Sequence, residues 1–318
     1  MPRRAGAAIL RSRTAGPVSR RERGRRCRAC PALPPPTDGA RSGGRDDRLL
    51  CAERLRRARP GPRDGGRAAV RKPETVRVAA GVHLVAGSNT NWVIVREGDT
   101  VTLVDTGYPG DRELLLASLA AVGAAPEAVA AVLITHAHND HLGSAEFLRV
   151  RYGVPVLMHE AEVPHARRDF LHQVTVGKVL ANGWRPGVLP WAVHALRSGG
   201  TAKVPVAAPE AFPVAGALDL PGAPVPVHTP GHTGGHCAYL LPETGVLITG
   251  DALVSGHPTS RVRGPQLLPR MFDHDRERAV ASLAVLERVD AGVLLPGHGP
   301  VHRGPVREAA RCARESAG

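Results

Sequence analysis

Long hydrophobic runs are absent from this sequence of 318 residues. No stretch approaches the roughly 20 apolar residues that a membrane-spanning helix requires. The early segment GAAIL is too short to be the apolar part of a secretory signal peptide. We therefore expect a soluble, cytoplasmic protein that does not act at a membrane.

Cysteine is scarce too, and its positions argue against a disulfide framework. The five cysteines are Cys27, Cys30, Cys51, Cys237 and Cys312, three of them within the first 72 residues. A stabilising set of disulfides needs a denser and more regular spacing. The first two form a CxxC pair that could bind zinc together with the third, but no fourth ligand lies nearby, so we interpret this pair as a chance occurrence.

Lysine is the third scarce residue, because arginine outnumbers it by 39 to 3. Residues 1–72 carry 21 basic against 6 acidic side chains, whereas residues 73–318 carry 21 against 23. The first 72 residues are rich in Pro and Gly and lack a sustained apolar period, so we predict a disordered extension. Such a basic arm can bind nucleic acid, but the same arginine bias also accompanies GC-rich coding DNA.

From Val76 onwards, short β-branched runs alternate with turn residues and with helical patterns. The turns EGDT and PETG each separate two strand-like runs, which predicts two antiparallel regions. The elements predicted between and after these regions are helix 111–122, strand 129–135, helix 144–152, strand 154–158, an insertion at 160–204, a second β region and a last helix before GVLLPGHG. Two sheets packed face to face, with helices on both outer sides, would bury all these faces. We therefore predict an α/β fold of four layers, αββα, for residues 73–318.

The segment 165–204 has the least regular pattern. It is compatible with one or two short helices that cap a cleft, or with helices that only cover core. We expect Trp184 and Trp191 in this segment to be packing residues.

Metal-binding residue types are concentrated in the segment LITHAHNDHLGS, which follows a run typical of a buried strand. His136 and His138 are two positions apart, which places them on the same side of an extended backbone. Asp140 and His141 follow where a helix is expected to begin. Neutral imidazole and carboxylate are ligands that zinc accepts, and so many of them in one short segment suggest two ions.

Three distant segments offer further ligands. His232 lies in VHTPGHTGGH, Asp251 ends VLITGD and His298 lies in VLLPGHG. Each follows an apolar run and stands beside Gly or Pro, where the ends of strands expose functional side chains in layered folds. We expect these three residues to meet the LITHAHNDHLGS segment.

These segments resemble the five motifs of the metallo-β-lactamase superfamily of hydrolases, in the same order, over about residues 76–300. TLVDTG is similar to the first motif, THAHNDH to the second, TPGHTGGH to the third, LITGD to the fourth and LLPGHG to the fifth. The resemblance implies a first zinc held by His136, His138 and His232, a second held by Asp140, His141 and His298, and Asp251 as the bridge between them. It also implies that Asp105 orders the loops around the ligands, and it gives His236 no role as a ligand.

A pair of divalent ions makes hydroxide available at neutral pH and polarises a carbonyl group. The sequence therefore predicts a zinc-dependent hydrolase in which a metal-bridging hydroxide attacks a carbonyl ester, lactone, thioester or β-lactam. The resemblance suggests Asp140 as the residue that passes a proton to the leaving group. Tyr108 is a candidate hydrogen-bond donor to the oxyanion, and His257, Arg261 and Arg263 are candidate substrate contacts.

Two other functions stay open at this point. A mononuclear iron oxygenase similar to persulfide dioxygenases shares much of this signature and uses two histidines and one carboxylate to hold one Fe²⁺. A nucleic-acid binder acting through the basic arm is the second. The net charge of −2 on residues 73–318 offers a phosphate backbone little to bind, so we expect a small-molecule substrate. The sequence does not fix the oligomeric state.

Overall fold

The computed structural model describes residues 73–213 and 216–317. The predicted extension 1–72, with its CxxC pair, lies outside the described residues. Within the described parts no helix combines the length and the apolar character needed to cross a bilayer.

Strands and helices alternate along the described chain in two β-rich halves. The strands are β1 (Glu74–Ala79), β2 (Val82–Ala86), β3 (Asn91–Glu97), β4 (Thr100–Val104), β5 (Val129–Leu133), β6 (Val156–Met158), β7 (Glu210–Ala211), β8 (Val225–His228), β9 (Cys237–Leu241), β10 (Val246–Gly250), β11 (Val293–Pro296) and β12 (His302–Arg303). The helices are α1 (Arg112–Ala121), α2 (Asn139–Leu142), α3 (Ala145–Tyr152), α4 (Val163–Arg167), α5 (Val176–Asn182), α6 (Val188–Arg197), α7 (Arg276–Leu286) and α8 (Val306–Glu315).

The strands form two sheets. The first has the order β1-β2-β3-β4-β5-β6-β7, antiparallel from β1 to β4 and parallel from β4 to β7. The second has the order β12-β11-β10-β9-β8, and within it only β10 and β11 run parallel. Since parallel neighbours present their carboxyl ends at the same edge of a sheet, β4, β5 and β6 in one sheet and β10 and β11 in the other can bring their following loops together.

Three separate apolar cores show that these elements form four layers. One core joins the first sheet to α1 and α3, and includes Leu115 and Leu148. A second lies between the two sheets, where Leu133 and Tyr239 are both buried. A third joins the second sheet to α7 and α8 and includes Leu283. This helix–sheet–sheet–helix order confirms the predicted αββα architecture.

The alternation of side chains along the strands explains how both faces of a sheet are buried. In β3, Trp92 and Ile94 belong to the helix-side core, whereas Val93 and Val95 belong to the core between the sheets. Successive residues of a strand point to opposite faces, so a strand covered on both sides reads as a continuous apolar run.

The insertion after β6 forms short helices that line a cavity, as the first of the two sequence interpretations predicted. We call α5 and α6 together the cap. Trp191 in α6 is buried and meets the ring of Phe272 edge-on, with 5.0 Å between the ring centroids. The expectation that Trp184 packs inside is wrong, because the turn between α5 and α6 leaves 83% of this residue exposed.

Helix α8 was missing from the predicted elements. Its buried side chains Val306, Ala309, Ala310 and Ala313 recur at the spacing of one helix face and pack in the core with α7. Arginine and glutamate occupy most of the other positions, so the helix is strongly amphipathic and its pattern is a signal of a helix that the sequence analysis missed.

Candidate metal centre

Five loops that follow or join strand ends converge at one edge of the two sheets. The first loop follows β4 and contains Asp105, and the second follows β5 and contains His136, His138, Asp140 and His141. The others lie between β8 and β9, after β10 and after β11. The structure brings together all seven residues that the motif resemblance named as ligands, and we call them the His/Asp cluster: His136, His138, Asp140, His141, His232, Asp251 and His298.

Three imidazoles form one corner of the cluster. His136 Nε2 and His232 Nε2 lie 3.0 and 3.1 Å from His138 Nδ1. All three side chains are buried, and their nitrogen atoms are close enough together to bind one ion.

A second corner combines one carboxylate with two imidazoles. Asp140 Oδ2 lies 3.9 Å from His141 Nε2 and 3.6 Å from His298 Nε2. Asp251 lies between the corners, because its Oδ2 is 3.4 Å from His232 Nε2 and 3.2 Å from His298 Nε2, and its Oδ1 is 3.5 Å from His141 Nε2. The cluster therefore offers two adjacent sets of ligand atoms with one shared carboxylate.

The outer nitrogen of each imidazole, the one turned away from the cluster, has a neighbouring oxygen atom. Asp105 Oδ2 accepts a hydrogen bond from His141 Nδ1 at 2.8 Å, and the Asn89 carbonyl accepts one from His298 Nδ1 at 2.6 Å. The His172 carbonyl accepts one from His138 Nε2. These acceptors cannot donate, so each of these histidines, in its neutral form, carries its proton on the outer nitrogen and offers the lone pair of the inner nitrogen to a metal ion.

The remaining two histidines are held less directly. The Thr135 hydroxyl lies 3.1 Å from His136 Nδ1, and Asp273 Oδ1 lies 3.5 Å from His232 Nδ1. Asp105 also accepts hydrogen bonds from the backbone N–H and the hydroxyl of Thr135, at 2.8 and 2.7 Å. Asp105 therefore joins the loop after β4 to the loop that begins the second motif, as the resemblance implied.

Close packing explains why the fourth and fifth motifs contain Gly250 and Gly297. A Cβ on Gly297 would lie 2.3 Å from Asp251 Oδ1 and 2.8 Å from His141 Cε1. Gly250 has a φ of +48°, and a Cβ there would lie 2.8 Å from His236 Nε2. A larger side chain would displace cluster residues at position 297, and at position 250 it would displace His236 and Thr135 behind the cluster.

Burial and charge give the two corners different electrostatic character. Burial and the neighbouring imidazoles lower the pKa of His136 and His138, so both are neutral. Burial also disfavours the charged form of His141, but Asp251, Asp105 and Asp140 outweigh it and raise the pKa of His141 to about 10. The carboxylates around the second corner thus favour a positive charge at this position.

Unpaired polar atoms indicate that metal ions fit this centre. Neither His141 Nε2 nor Asp251 Oδ1 has a hydrogen-bond partner among the described residues, although both atoms are buried and lie 3.5 Å apart. An unpaired buried polar group costs about 1–3 kcal/mol. Imidazole nitrogen and carboxylate oxygen are ligands of divalent transition metals, so bound ions would satisfy both atoms.

A buried carboxylate outside the motifs, Glu162, connects the second motif to the third. Its Oε1 accepts hydrogen bonds from the Ala137 N–H at 2.8 Å and from His165 Nδ1 at 2.7 Å. Its Oε2 accepts from the Thr233 hydroxyl and the Gly235 N–H, both at 2.9 Å. Burial opposes its ionisation, but the contact with His165 and the N–H of Ala137 lower the pKa of Glu162, so the group is a carboxylate.

His236 and Asp273 are two more contributors that the sequence analysis missed. The Asp251 N–H donates to His236 Nε2 at 3.0 Å, and the Thr229 hydroxyl lies 2.8 Å from His236 Nδ1. Burial lowers the pKa of His236 to about 3, so this ring is neutral and positions the backbone of Asp251. The local signal for His236 is the GGH ending of the third motif. The local signal for Glu162 is its position just after β6.

Of the four other site residues that the sequence predicted, two line the cavity above the His/Asp cluster and two do not. Tyr108 and His257 line the cavity above the His/Asp cluster. Burial and the charge of Asp140 raise the pKa of Tyr108, so its phenol keeps its proton. Arg261 and Arg263 are exposed and line two other cavities, and the cavity lined by Arg263 is also lined by His257 and His298.

Comparison with known proteins assigns the family. The family model described as "Metallo-beta-lactamase superfamily" matches residues 85–298, from β2 to His298 of the fifth motif. The chain belongs to the metallo-β-lactamase superfamily. Members of this superfamily are mostly hydrolases, and the His/Asp cluster is the part of this member that can hold metal ions.

Two curated relatives and one solved structure illustrate the similarity. A metallo-β-lactamase domain-containing protein 1 from Xenopus laevis is 31% identical over 211 residues, which are 66% of this chain and 71% of that protein. An atrochrysone carboxyl ACP thioesterase from Aspergillus fumigatus is 28% identical over 214 residues, 67% of this chain and 38% of that protein. A metallo-β-lactamase family protein from Thermus thermophilus matches with a TM-score of 0.54 and 24% identity, covering 74% of this chain and 79% of that chain. At that identity the solved structure supports the fold alone.

Proposed function

We propose that this superfamily member is a dinuclear zinc hydrolase that cleaves a carbonyl ester, lactone, thioester or β-lactam. The observation that carries the proposal is the presence of two adjacent ligand sets around Asp251. His136, His138 and His232 would hold one ion, Asp140, His141 and His298 the other, and Asp251 both. Two zinc ions, when bound, supply hydroxide at neutral pH and draw electrons from a carbonyl group.

The residues of this chain add the remaining steps. Asp140 lies at the cavity wall with part of its carboxylate accessible, so it can take the proton of the attacking water and pass it to the leaving group. In the net reaction the bond from the acyl carbon to oxygen, sulfur or nitrogen breaks, the hydroxyl of water joins the acyl carbon, and its proton joins the leaving atom. Tyr108, a protonated phenol in the same wall, can donate a hydrogen bond to the oxyanion.

One relative supports a carbonyl substrate. The Aspergillus fumigatus protein is named as a thioesterase, and its similarity spans 67% of this chain. Thioester hydrolysis needs the same polarised acyl carbon as ester or lactone hydrolysis, so the same cluster serves each of these substrates.

A mononuclear iron oxygenase would need only two histidines and one carboxylate. That arrangement would use three of the seven residues of the His/Asp cluster, whereas two ions would use all seven. We therefore favour the dinuclear hydrolase.

Removal and return of metal separates these functions. We expect that dialysis against a chelator abolishes hydrolysis of p-nitrophenyl acetate, and that zinc restores it while iron does not. Oxygen uptake on a persulfide by the iron-loaded protein, without ester hydrolysis by the zinc-loaded protein, would replace the proposal with the oxygenase.

A further inference from the structure

The cavity above the His/Asp cluster is polar at one end and apolar at the other. Its volume is about 460 Å³, within the range of small-molecule sites. The cluster forms the base. The walls come mainly from the cap and from the loop that precedes α7, with side chains that include Val176, Val179, Leu180, Trp191, Leu196 and Phe272.

Each cap helix contributes one face to this wall. Val176, Val179 and Leu180 occupy positions i, i+3 and i+4 of α5, the spacing of a single helix face. Val176 and Leu180 are 73% and 71% exposed. Large aliphatic side chains grouped at the mouth of a cavity are typical of a binding groove, and here the groove is continuous with the cluster.

Outside the His/Asp cluster, the wall of the cavity offers no cationic partner to a negatively charged group of the substrate. No lysine or arginine is among the described residues that line it. Away from the cluster its polar side chains, such as Asn139, Gln173 and Thr201, are uncharged. A carboxylate or phosphate placed between the cap helices would lose its water without gaining a cation, which is strongly unfavourable.

We propose that the site takes an uncharged ester, lactone or thioester whose apolar chain lies between α5 and α6 while its carbonyl group lies at the His/Asp cluster. This inference rests on the proposed function and names the substrate class within it. It disfavours β-lactams, whose carboxylate would have no partner in this wall.

Three matched p-nitrophenyl esters test the substrate class in the zinc-loaded full-length protein. We expect kcat/KM to be at least tenfold higher for the hexanoate than for the acetate, since each buried methylene adds about three- to fourfold. We expect the half-ester of adipate, which ends the same chain in a carboxylate, to be about a hundredfold poorer than the hexanoate. Equal rates for acetate and hexanoate, or for hexanoate and the adipate half-ester, would overturn the inference.

A pair of cap variants tests the location. Leu180→Ser changes a wall residue, whereas Leu189→Ser changes an equally apolar residue of α6 that is 54% exposed and does not line the cavity. We expect the first variant to lower the ratio of hexanoate to acetate kcat/KM about tenfold, and the second to leave that ratio unchanged. Loss of the preference in both variants or in neither would contradict the assigned wall.

Binding to the metal-free protein separates this inference from the proposed function. By calorimetry we expect 2-octanone, which is uncharged and cannot be hydrolysed, to bind the wild type and to bind Leu180→Ser about tenfold more weakly. Ketone binding without ester hydrolysis would refute the proposed function and keep the apolar site. Ester hydrolysis without ketone binding or chain-length preference would refute the apolar site and keep the hydrolase.

Discussion

The His/Asp cluster and the cap border the same cavity, but their side chains lie in opposite environments. Around the cluster, buried carboxylates, carbonyl groups and hydroxyls contact the outer nitrogens of the histidines. Gly250 and Gly297 leave no space there for a larger residue. The cap helices instead present Val176, Leu180, Leu189 and other aliphatic side chains to water.

From this difference we infer that the cluster determines the reaction and that the cap determines substrate selectivity. A cluster fixed by many buried hydrogen bonds loses its geometry when any one contact is removed, because each remaining polar group is then unpaired. Apolar side chains on a solvent-facing helix can change with small and graded effects. We expect superfamily members with this cluster to keep the same bond-breaking chemistry while their caps select different substrates.

The strongest test of the comparison is at Asp251, the residue that both ligand sets share. We expect Asp251→Ala to lower kcat/KM about a thousandfold for every ester tested, because metal-bound charge stabilisation contributes several kcal/mol. Kinetics with p-nitrophenyl acetate and hexanoate would measure the loss. The control Asp99→Ala, in the exposed turn between β3 and β4, should keep wild-type kinetics; an equal loss in both variants would contradict the role of Asp251.

Glu162 tests whether the contacts behind the cluster also stabilise the fold. Glu162→Ala leaves a buried imidazole, a hydroxyl and two N–H groups without their acceptor. We expect the free energy of unfolding of the metal-free protein to fall by about 3–5 kcal/mol, measured by urea denaturation. Glu162→Gln keeps one acceptor oxygen and should lose less. The exposed residue Glu160, two positions before Glu162, provides the control. A similar loss of unfolding free energy in Glu160→Gln would rule out a specific role for Glu162.

Asp105 separates metal affinity from folding. Asp105→Asn keeps the size of the side chain and can still accept from Thr135, but it no longer supplies a carboxylate for His141 Nδ1. We expect zinc affinity to fall about 10- to 100-fold, measured by competition with a chromogenic chelator. Unchanged affinity in a folded variant would show that the orientation of His141 does not depend on this carboxylate.

The smallest effect is expected at Trp184, on the outside of the cap. Trp184→Ala removes a large side chain that is 83% exposed and does not line the cavity above the cluster. We expect the free energy of unfolding to change by less than about 0.5 kcal/mol and the preference for hexanoate over acetate to be unchanged. A lost preference would extend the substrate-binding wall to the turn between the cap helices.

The sequence predicted the layers and the His/Asp cluster because both are encoded in short local patterns. A histidine or aspartate after an apolar run beside glycine signals a strand end, and strand ends meet at one edge of a layered fold. Helix α8 was not predicted, although its buried residues recur at the spacing of one helix face. Arg261 and Arg263 were predicted as substrate contacts from charge alone, but they lie outside the cavity above the cluster.

The contacts behind the cluster could not be predicted in this way. Glu162 accepts from Ala137 and Gly235, which are 25 and 73 positions away in sequence. His236 supports Asp251 from 15 positions away. Such pairings depend on how the two sheets are packed together, and the GGH ending of the third motif and the position of Glu162 do not specify that packing. The apolar wall of the cap was unpredictable for the same reason, since periodicity alone does not tell which face of a short helix borders a cavity.

Metal analysis of the purified full-length protein is the most direct test of the central claim that the His/Asp cluster holds two catalytic ions. We expect about two zinc ions per chain in the wild type, as in other two-metal hydrolytic sites. We expect about one in His298→Ala, which removes a ligand of only the second set. A wild type that binds a single iron ion, or a variant that keeps the full zinc content and full hydrolytic rate, would contradict the account.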